Sequence, residues 1–163
     1  MVIIALGANL PSNAGEPALT LRAALETFPS CSVQVENVSH FYRTLAWPNP
    51  MEPEFVNAVV SVGTKLNPDA LLTALQGIER QFGRLREVRN APRTLDLDII
   101  DYEARVERGP PELPHPRLAT RAFVLVPLKD VAPQWRHPVS GRSVSELIAA
   151  LPRDQEMPRK LMF

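Results

Sequence analysis

Cysteine is nearly absent from this sequence. Cys31 is the one cysteine among 163 residues, so the chain cannot form an intramolecular disulfide bond. A chain of this length can bury roughly 70% of its unfolded surface and needs no covalent cross-link. A lone cysteine fits a reducing compartment. The length suits one domain, and we expect residues 1–163 to form it, with 152–163 as a loosely ordered tail.

Long hydrophobic runs are also missing. No segment approaches the roughly 20 apolar residues that a membrane-spanning helix needs. The apolar run at residues 2–6 has the length of a short buried strand, and it lacks the basic start of a signal peptide. We therefore expect a soluble, cytoplasmic protein that has no membrane partner.

The sequence has no net charge, because 18 basic residues balance 18 acidic ones. This balance argues against a nucleic-acid-binding surface, and we expect a monomer that binds small molecules. The phosphate-binding motif Gly-x-x-x-x-Gly-Lys-Ser/Thr is absent as well, which excludes a P-loop kinase. Arginines nevertheless cluster between residues 79 and 93, at Arg80, Arg84, Arg86, Arg89 and Arg93. The cluster suggests a small polyanionic ligand, and a solvated helix end is the alternative.

Hydrophobic periodicity and turn residues predict an alternation of strands and helices. We expect strands at 2–6, 32–44, 55–66 and 94–102, and a short strand or extended run at 122–126. Helices are predicted at 16–28, at 68–82 with Asn67 as N-cap, and from the cap Ser143 to residue 151. The order β-α-β-β-α-β predicts an α+β fold, a ferredoxin-like αβα sandwich with helices on both sides of a mainly antiparallel sheet.

The most informative segment is the predicted strand that contains Asp96 and Asp98. Side chains alternate along a strand, so these two carboxylates should lie on one face while Leu95, Leu97 and Ile99 enter the core. Two ionised carboxylates this close repel each other unless a cation lies between them, and oxygen ligands suit Mg²⁺ shared with phosphates. Asp101 has the opposite parity and should lie outside this pair. The alternative is two aspartates on a solvated sheet face.

Arginines next to this pair favour the metal interpretation. Arg93 precedes Asp96 by three residues, and Arg84 and Arg86 lie on the preceding loop. Carboxylates for a metal beside guanidinium groups for phosphate oxygens are the groups that phosphoryl transfer requires.

Two further segments hold candidate binding residues. His115 lies between two prolines, and Arg121 and Phe123 would share a face of an extended chain, where they could hold a phosphate and a flat heterocycle. Phe55 and Asn57 share parity on another predicted strand and could stack on a heterocycle and bind its edge. The alternatives are a loop histidine, a core phenylalanine and an asparagine that satisfies backbone groups.

Taken together, these segments resemble the 6-hydroxymethyl-7,8-dihydropterin pyrophosphokinases of folate biosynthesis. The resemblance runs from Ile3 to about Pro138. It rests on Gly7-Ala-Asn-Leu10, Phe41-Tyr-Arg-Thr44, Phe55-Val-Asn57, Ile78-Glu79 with Gly83-Arg84-Leu-Arg86, Pro92-Arg-Thr-Leu-Asp-Leu-Asp98, Leu113-Pro-His-Pro116, and Arg121-Ala-Phe-Val-Leu125.

The resemblance implies an enzyme that transfers diphosphate from ATP to the hydroxymethyl pterin and releases AMP. It implies that Asp96 and Asp98 bind two Mg²⁺ ions, and that Arg84 and Arg93 act on the ATP phosphates during the reaction. It implies nucleotide contacts at Gln76, Glu79, Arg86, His115 and Arg121. It implies pterin contacts at Thr44, Phe55, Asn57 and Phe123, with backbone groups from Leu45.

This sequence departs from the family pattern at two places. The usual Gly-Ser-Asn-Leu-Gly is Gly7-Ala-Asn-Leu-Pro11, and the usual Trp-Gly-Pro-Arg is Asn90-Ala-Pro-Arg93 in a loop one residue shorter. The missing tryptophan normally covers the pterin, and Trp47 is a candidate to replace it. Two other functions stay open: a non-catalytic nucleotide- or pterin-binding module, and a Mg²⁺-dependent phosphate ester hydrolase.

Overall fold

The computed structural model describes residues 1–84 and 92–162. Its strands are β1 (Val2–Ala8), β2 (Val33–Val38), β3 (Tyr42–Thr44), β4 (Phe55–Thr64), β5 (Asp96–Tyr102), β6 (Glu107–Arg108), β7 (Glu112–Leu113) and β8 (Arg159–Lys160). Its helices are α1 (Pro17–Thr27), α2 (Pro68–Gln81), α3 (Ala122–Val131) and α4 (Val144–Ala149).

One antiparallel sheet contains six of these strands, and β6 and β7 pair in a separate two-stranded sheet. The strand order is β5-β1-β4-β3-β8, and β2 also pairs with β4. With β2 and β3 taken as two parts of one edge, the order matches that of a ferredoxin-like sheet. Within the described residues, no helix combines the length and the apolar character that crossing a bilayer requires.

Helices cover both faces of the sheet because residues alternate along its central strands. Val2, Ile4 and Leu6 of β1 lie in a core cluster with buried residues of α1 and α2. Ile3, from the same strand, lies in a second cluster with buried residues of α3 and α4. The predicted α+β sandwich with helices on both sides is therefore confirmed.

The capping residues identified in the sequence begin and end two helices. The Asn67 side chain accepts a hydrogen bond from the Ala70 backbone N–H at 2.8 Å, and Pro68 occupies the first turn of α2. Gly83 follows this helix with a φ of +84°, a conformation that glycine adopts at little cost. Ser143 caps α4 in a capping box with Glu146, as predicted, although the helix ends at Ala149.

One predicted strand is a helix. The prediction of an extended run at 122–126 is wrong, because these residues form the first half of α3. Val124, Leu125 and Leu128 are buried against Ile3 and Ile100 of the sheet. Burial of this apolar face outweighs both the strand propensity of the valines and the presence of Pro127 inside the helix.

The predicted strand at 32–44 is interrupted between β2 and β3. Ser39 lies in the interruption, where its N–H donates to the Val59 carbonyl and its hydroxyl accepts from the Val59 N–H. Both short strands still pair with β4, so the sheet edge continues past the break. Part of the predicted loose tail also joins the sheet, since Arg159 pairs with Arg43 of β3.

Candidate active site

An open cavity of about 740 Å³ lies beside the ends of the central strands and the start of α3. Its walls come from β1, β3, β4, β5, α3 and the segment that follows α4. The cavity brings together candidate residues that are far apart in the sequence, namely Thr44, Leu45, Trp47, Phe55, Asn57, Arg93, Asp96, Asp98, Arg121 and Phe123.

Asp96 and Asp98 line this cavity from β5 as the strand period predicts. Asp96 pairs with Gly7 and Asp98 with Ala5 across the β1–β5 ladder. Leu95, which precedes the strand, and Leu97 lie in the core cluster on the opposite face, as does Ile99. The predicted alternation is therefore confirmed for this part of the strand.

Asp101 lies outside the pair, but the parity argument for its position is wrong. The β1–β5 register shifts at a bulge, so that Ile3 faces Asp101 and Ile4 faces Ile99. Because the bulge reverses the alternation, Asp101 turns toward the α3 side of the sheet. There its Oδ2 accepts a hydrogen bond from Trp135 Nε1 at 2.9 Å, in a buried structural contact.

Two arginines bind the Asp96 carboxylate in the structure. Arg84 Nη1 lies 2.5 Å from Asp96 Oδ1, and Arg93 Nη1 lies 2.7 Å from Asp96 Oδ2. Arg84 Nη1 also lies 2.6 Å from Glu79 Oε1. Both oxygens of Asp96 are therefore occupied by guanidinium groups, and Arg84 bridges two carboxylates.

Glu79 fixes the position of this network. Its side chain is 1% exposed, and its Oε1 accepts the backbone N–H of Leu97 at 2.8 Å. Helix α2 is thereby joined to β5 between the two candidate metal ligands. The resemblance placed Glu79 near the nucleotide, but the sequence does not predict its bond to the strand, which depends on tertiary packing.

Asp98 lies in a different electrostatic environment. The pKa of its carboxyl is raised to about 7, chiefly by burial and then by the charge of the nearby Asp96, while the charge of Arg121 acts in the opposite direction. An added cation would relieve both the burial cost and the repulsion between the two carboxylates. This electrostatic environment fits a divalent cation at the pair.

The donor set also limits the kind of metal site that can form. Across residues 1–84 and 92–162, no three His, Cys, Asp or Glu side chains converge as a candidate metal site. A hard cation held by two carboxylates would take its remaining ligands from phosphate oxygens and water, which is the usual coordination of Mg²⁺ in phosphoryl-transfer enzymes. The residues present therefore fit a metal that arrives with a polyphosphate.

His115 is held as a neutral imidazole near Arg117 and Arg121, although it is not among the residues that line the cavity. The pKa of its ring is lowered to about 4, chiefly by burial and then by the charges of Arg121 and Arg117, with the charge of Asp96 opposing them. Its Nδ1 accepts the backbone N–H of Arg117 at 3.1 Å. The neutral ring therefore carries its proton on Nε2, which is the tautomer that donates a hydrogen bond.

Arg121 and Phe123 are neighbours, as predicted, although they begin a helix. Arg121 is the N-cap of α3, and its Cζ lies 5.4 Å from the Phe123 ring centroid. A cation beside an aromatic ring is thus present at the cavity wall. Arg117 also lines the cavity, although the sequence analysis did not predict it as a site residue. The feature of the sequence that could have indicated it is its position two residues after His115.

A buried polar pair and the Phe55 ring form another part of the cavity wall. Asn57 Nδ2 donates a hydrogen bond to Thr44 Oγ1 at 2.9 Å, and both residues are buried. Gly7 lies against them, because a Cβ at this position would stand 3.0 Å from Asn57 Oδ1 and 3.8 Å from Phe55 Cδ1. The absence of a side chain at Gly7 therefore leaves room beside the amide and the ring.

Three other predicted residues have different outcomes. Trp47 lines the cavity and is 73% exposed, so its ring is available to a ligand. Gln76 is half-buried on α2 and is not among the residues that line the cavity. Arg86 lies outside the described residues, as do Arg89 and the Asn90 position where the family tryptophan is missing.

Sequence reasoning missed one wall of the cavity. Pro152, Asp154, Gln155 and Glu156 line it, although this segment was predicted to be a loose tail. Leu45, which was predicted to contribute backbone groups to the pterin site, donates its N–H to Glu156 Oε2 at 2.9 Å. A charged, proline-containing segment gives no periodic pattern that would indicate such a position.

Comparison with protein families gives one match that covers most of the chain. A family model described as 7,8-dihydro-6-hydroxymethylpterin-pyrophosphokinase (HPPK) matches residues 3–133. This range includes the candidate residues on the strands and on α2 and α3, and it ends before the segment at 152–156.

Curated relatives carry a consistent name. A 2-amino-4-hydroxy-6-hydroxymethyldihydropteridine pyrophosphokinase of Pseudomonas aeruginosa is 42% identical over 153 residues, which is 93% of this chain and 91% of the relative. Proteins of the same name from Synechocystis and Methylorubrum extorquens are 38% and 39% identical, over 90% and 88% of this chain and 73% and 90% of the relatives.

Solved structures support the fold. The wild-type HPPK-DHPS of Plasmodium falciparum aligns with a TM-score of 0.66 over 91% of this chain, at 14% identity. A second structure, the same wild-type protein with pteroate, aligns with a TM-score of 0.68 over 91% of this chain at 14% identity. This chain covers 44% and 43% of those longer chains, so the likeness concerns one part of each.

Proposed function

The chain belongs to the 7,8-dihydro-6-hydroxymethylpterin-pyrophosphokinase family, and we propose that it transfers a diphosphate group from ATP to 6-hydroxymethyl-7,8-dihydropterin in folate biosynthesis. The observation that carries this proposal is the pairing of Asp96 and Asp98 on one strand face, with Arg84 and Arg93 beside them, in a cavity with a buried amide at its other end.

ATP binds at the arginine-rich end of the cavity. Arg84, Arg93 and Arg121 supply guanidinium groups for the triphosphate, and the Nε2–H of His115 supplies a neutral donor. Glu79 fixes the position of Arg84, because its Oε1 accepts hydrogen bonds from both this arginine and the β5 backbone. Gln76 and Arg86 make further nucleotide contacts in this proposal, by analogy with the family.

The pterin binds at the other end. The ring lies between Phe55 and Phe123, where stacking on an aromatic face suits a flat heterocycle. The Asn57 amide, oriented by the Thr44 hydroxyl, offers an acceptor and a second donor hydrogen to the pterin edge. Leu45 adds backbone groups. Trp47 covers the pterin in place of the tryptophan that the family usually has at the position of Asn90.

Asp96 and Asp98 hold Mg²⁺ at the junction between the two substrates. Two ions would be held there by the carboxylate oxygens of these residues. When bound, Mg²⁺ neutralises phosphate charge and lowers the pKa of the attacking hydroxyl. The remaining steps depend on how the residues of this chain position and stabilise the substrates.

The transfer is a direct displacement at phosphorus. The hydroxymethyl oxygen of the pterin forms a bond to the β-phosphorus, and the bond from that phosphorus to the oxygen bridging the α-phosphate breaks. The bonding pair leaves with AMP, and the hydroxyl proton passes to solvent. Arg84 and Arg93 stabilise the charge that develops on the bridging and β-phosphate oxygens, and the loss of one such donor costs roughly 3–4 kcal/mol in the barrier.

This mechanism requires the two arginines to exchange partners. In the structure both bind Asp96, so a ligand to a cation is occupied by guanidinium groups. As ATP arrives with its metal, the phosphates offer more negative charge than one carboxylate. Arg84 and Arg93 therefore move to the phosphates, and the Asp96 oxygens become free for the cation.

The broader setting follows from the same assignment. We propose that residues 1–163 act as one catalytic domain, a cytoplasmic monomer that binds small molecules and no nucleic acid. The net charge of zero and the concentration of arginines at one cavity support binding of a small polyanion over binding of a nucleic acid.

One assay tests the proposal against its two rivals. The protein is supplied with ATP, Mg²⁺ and 6-hydroxymethyl-7,8-dihydropterin, and AMP and orthophosphate are measured. AMP that forms only when the pterin is present supports the transferase. Orthophosphate without pterin would identify a hydrolase, and binding of both substrates without turnover would identify a binding module.

A further inference from the structure

The segment after α4 closes one side of the cavity. We call residues 152–161 the strap. Its first part lines the cavity with Pro152, Asp154, Gln155 and Glu156. Its last part is β8, which pairs with the edge strand β3, and the Leu161 N–H donates to the Phe41 carbonyl at 2.7 Å. The strap is thus anchored on the same strand that ends at Thr44.

The strap holds the loop at residues 45–54, which carries Trp47. At the start of this loop, the Leu45 N–H donates to Glu156 Oε2 at 2.9 Å. At its end, Arg159 of the strap binds the carboxylate of Glu54, the residue before Phe55. Both ends of the loop are therefore bonded to one neighbouring segment.

The two ends differ in how much they depend on the strap. The last turn of the loop has a second support, because Asn9 Nδ2 donates to the Pro53 carbonyl at 3.0 Å. Arg43 also lies 3.8 Å from Glu54. Among the described residues, the bond to Glu156 is the hydrogen bond recorded for the first turn, from Leu45 to Trp47. Glu156 Oε1 also lies 3.9 Å from Arg159 Nε, but Arg159 makes its own bond to Glu54, so loss of Glu156 should release the Trp47 end more than the Glu54 end.

The strap is also fixed on the phosphate side of the cavity. Gln155 Nε2 donates to the Thr120 carbonyl at 3.2 Å, and Thr120 precedes Arg121. Glu156 follows Gln155 directly, so its carboxylate projects from a backbone that is held on one side by this bond and on the other by β8. A side chain supported in this way can hold a loop in one position.

We propose that Glu156 is a positioning residue that fixes Leu45 and Trp47 over the pterin. This inference rests on the proposed pterin site and adds to it a residue outside the region matched by the family model. Without Glu156 the first turn of the loop samples other positions, and the fraction of protein able to bind pterin falls. The apparent affinity for pterin falls by the same factor, while the phosphate end is unaffected.

The test compares three variants of the full chain. Glu156→Ala removes the acceptor, Glu156→Gln keeps an oxygen that can accept the Leu45 N–H, and Arg153→Ala is a matched control at an exposed strap residue that does not line the cavity. We expect Glu156→Ala to raise KM for the pterin about fivefold to tenfold, with kcat and KM for ATP within about twofold of the parent. The glutamine variant and the control should behave as the parent.

Other outcomes would overturn the inference. An unchanged pterin KM in Glu156→Ala, or a glutamine variant as impaired as the alanine variant, means that the carboxylate does not position the loop. A lower pterin KM means that Glu156 competes with the pterin for the Leu45 N–H.

Hydrogen exchange separates this inference from the proposed function. In the substrate-free protein, Glu156→Ala should accelerate exchange of the Leu45 amide at least about tenfold, because the bond that protects it is lost. This measurement needs no turnover. If the parent makes no AMP from the pterin, the proposed function fails; if exchange at Leu45 does not change, the inference about Glu156 fails.

Discussion

Arg84 donates to Asp96 across 2.5 Å, and this salt bridge joins the end of α2 to the start of β5. Burial lowers the pKa of Arg84, but the carboxylates of Asp96 and Glu79 raise it by more, so the guanidinium is held charged. In the proposed mechanism this pair holds the substrate-free site together and opens when the phosphates bind. Stability and activity should therefore respond differently to changes at Asp96 and Asp98.

Asparagine substitutions at the two aspartates test this difference. Asp96→Asn removes the charge that holds Arg84 and Arg93, and it should lower the free energy of unfolding by about 1–3 kcal/mol. Asp98 has no ion pair within 4 Å among the described residues, so Asp98→Asn should cost less than about 1 kcal/mol. Both should lower kcat at least about 100-fold, since each would remove a proposed metal ligand. Denaturant unfolding and steady-state AMP release measure the two effects.

Asp98→Asn with normal turnover would remove that residue from the metal site. Equal destabilisation by both substitutions would contradict the assignment of the ion pairs to Asp96.

The role of Arg84 can be tested by comparing a conservative substitution with alanine. Arg84→Lys keeps the charge but loses the planar guanidinium group, whose Nη1 contacts both Glu79 and Asp96. We expect kcat to fall about 10-fold to 100-fold in the lysine variant and about 100-fold to 1000-fold in Arg84→Ala. KM for ATP should change much less, because the stabilised charge develops only in the transition state. A variant with a large increase in KM and an unchanged kcat would show that Arg84 serves ground-state binding.

The sequence predicts those parts of the site that depend on local geometry. Asp96 and Asp98 share a face because strand periodicity requires it, and α2 begins at Pro68 because the Asn67 cap satisfies a free backbone N–H. The same periodicity gives the wrong side-chain direction for Asp101, because a bulge in the pairing with β1 reverses the alternation of side chains along β5. The two-residue period of a strand predicts side-chain directions correctly until a bulge in the pairing with a neighbouring strand inserts an extra residue.

Tertiary burial accounts for the other failures. Residues 122–126 carry strand-forming valines, yet α3 forms because both Val124 and Leu128 reach the same core. The strap has no hydrophobic periodicity, and its position depends on the pairing of β8 with β3. Glu156 could therefore not be predicted as a site residue from the sequence, although it accepts a hydrogen bond from the backbone of Leu45, which was predicted.

Gly7→Ala tests the pterin end of the cavity. The new Cβ would stand 3.0 Å from Asn57 Oδ1, so the amide must shift by a few tenths of an ångström. We expect KM for the pterin to rise about fivefold to tenfold because the amide is misplaced, with little change in KM for ATP. Gly77→Ala is the control: its Cβ would meet only Arg80 Nη2, at 3.8 Å, and it should stabilise α2 by about 0.5–1 kcal/mol. An unchanged pterin KM in Gly7→Ala would place the pterin elsewhere.

His115 should make stability depend on pH in a defined window. Its folded pKa of about 4 lies below the value of 6.5 expected for the unfolded chain, through burial and the charges of Arg121 and Arg117, with Asp96 opposing them. The unfolded state therefore binds the extra proton first, and stability is complete above pH 6.5 and falls as the pH drops toward 4. Between pH 7 and pH 5 the loss should be about 1–2 kcal/mol for this half-buried ring.

His115→Gln should remove this part of the pH dependence. The measurement is urea unfolding of parent and variant at several pH values between 4.5 and 7.5. The difference in the free energy of unfolding should shift in favour of the variant as the pH falls. Two parallel curves would mean that the ring titrates normally in the folded protein.

The most direct test of the account is a crystal structure of the protein with a non-hydrolysable ATP analogue, Mg²⁺ and 6-hydroxymethyl-7,8-dihydropterin. We predict Mg²⁺ within about 2.1 Å of oxygens from both Asp96 and Asp98, Arg84 and Arg93 turned from Asp96 to the phosphates, and the hydroxymethyl oxygen facing the β-phosphorus. A complex with bound nucleotide in which either carboxylate stays without metal, or in which both arginines remain on Asp96, would contradict it.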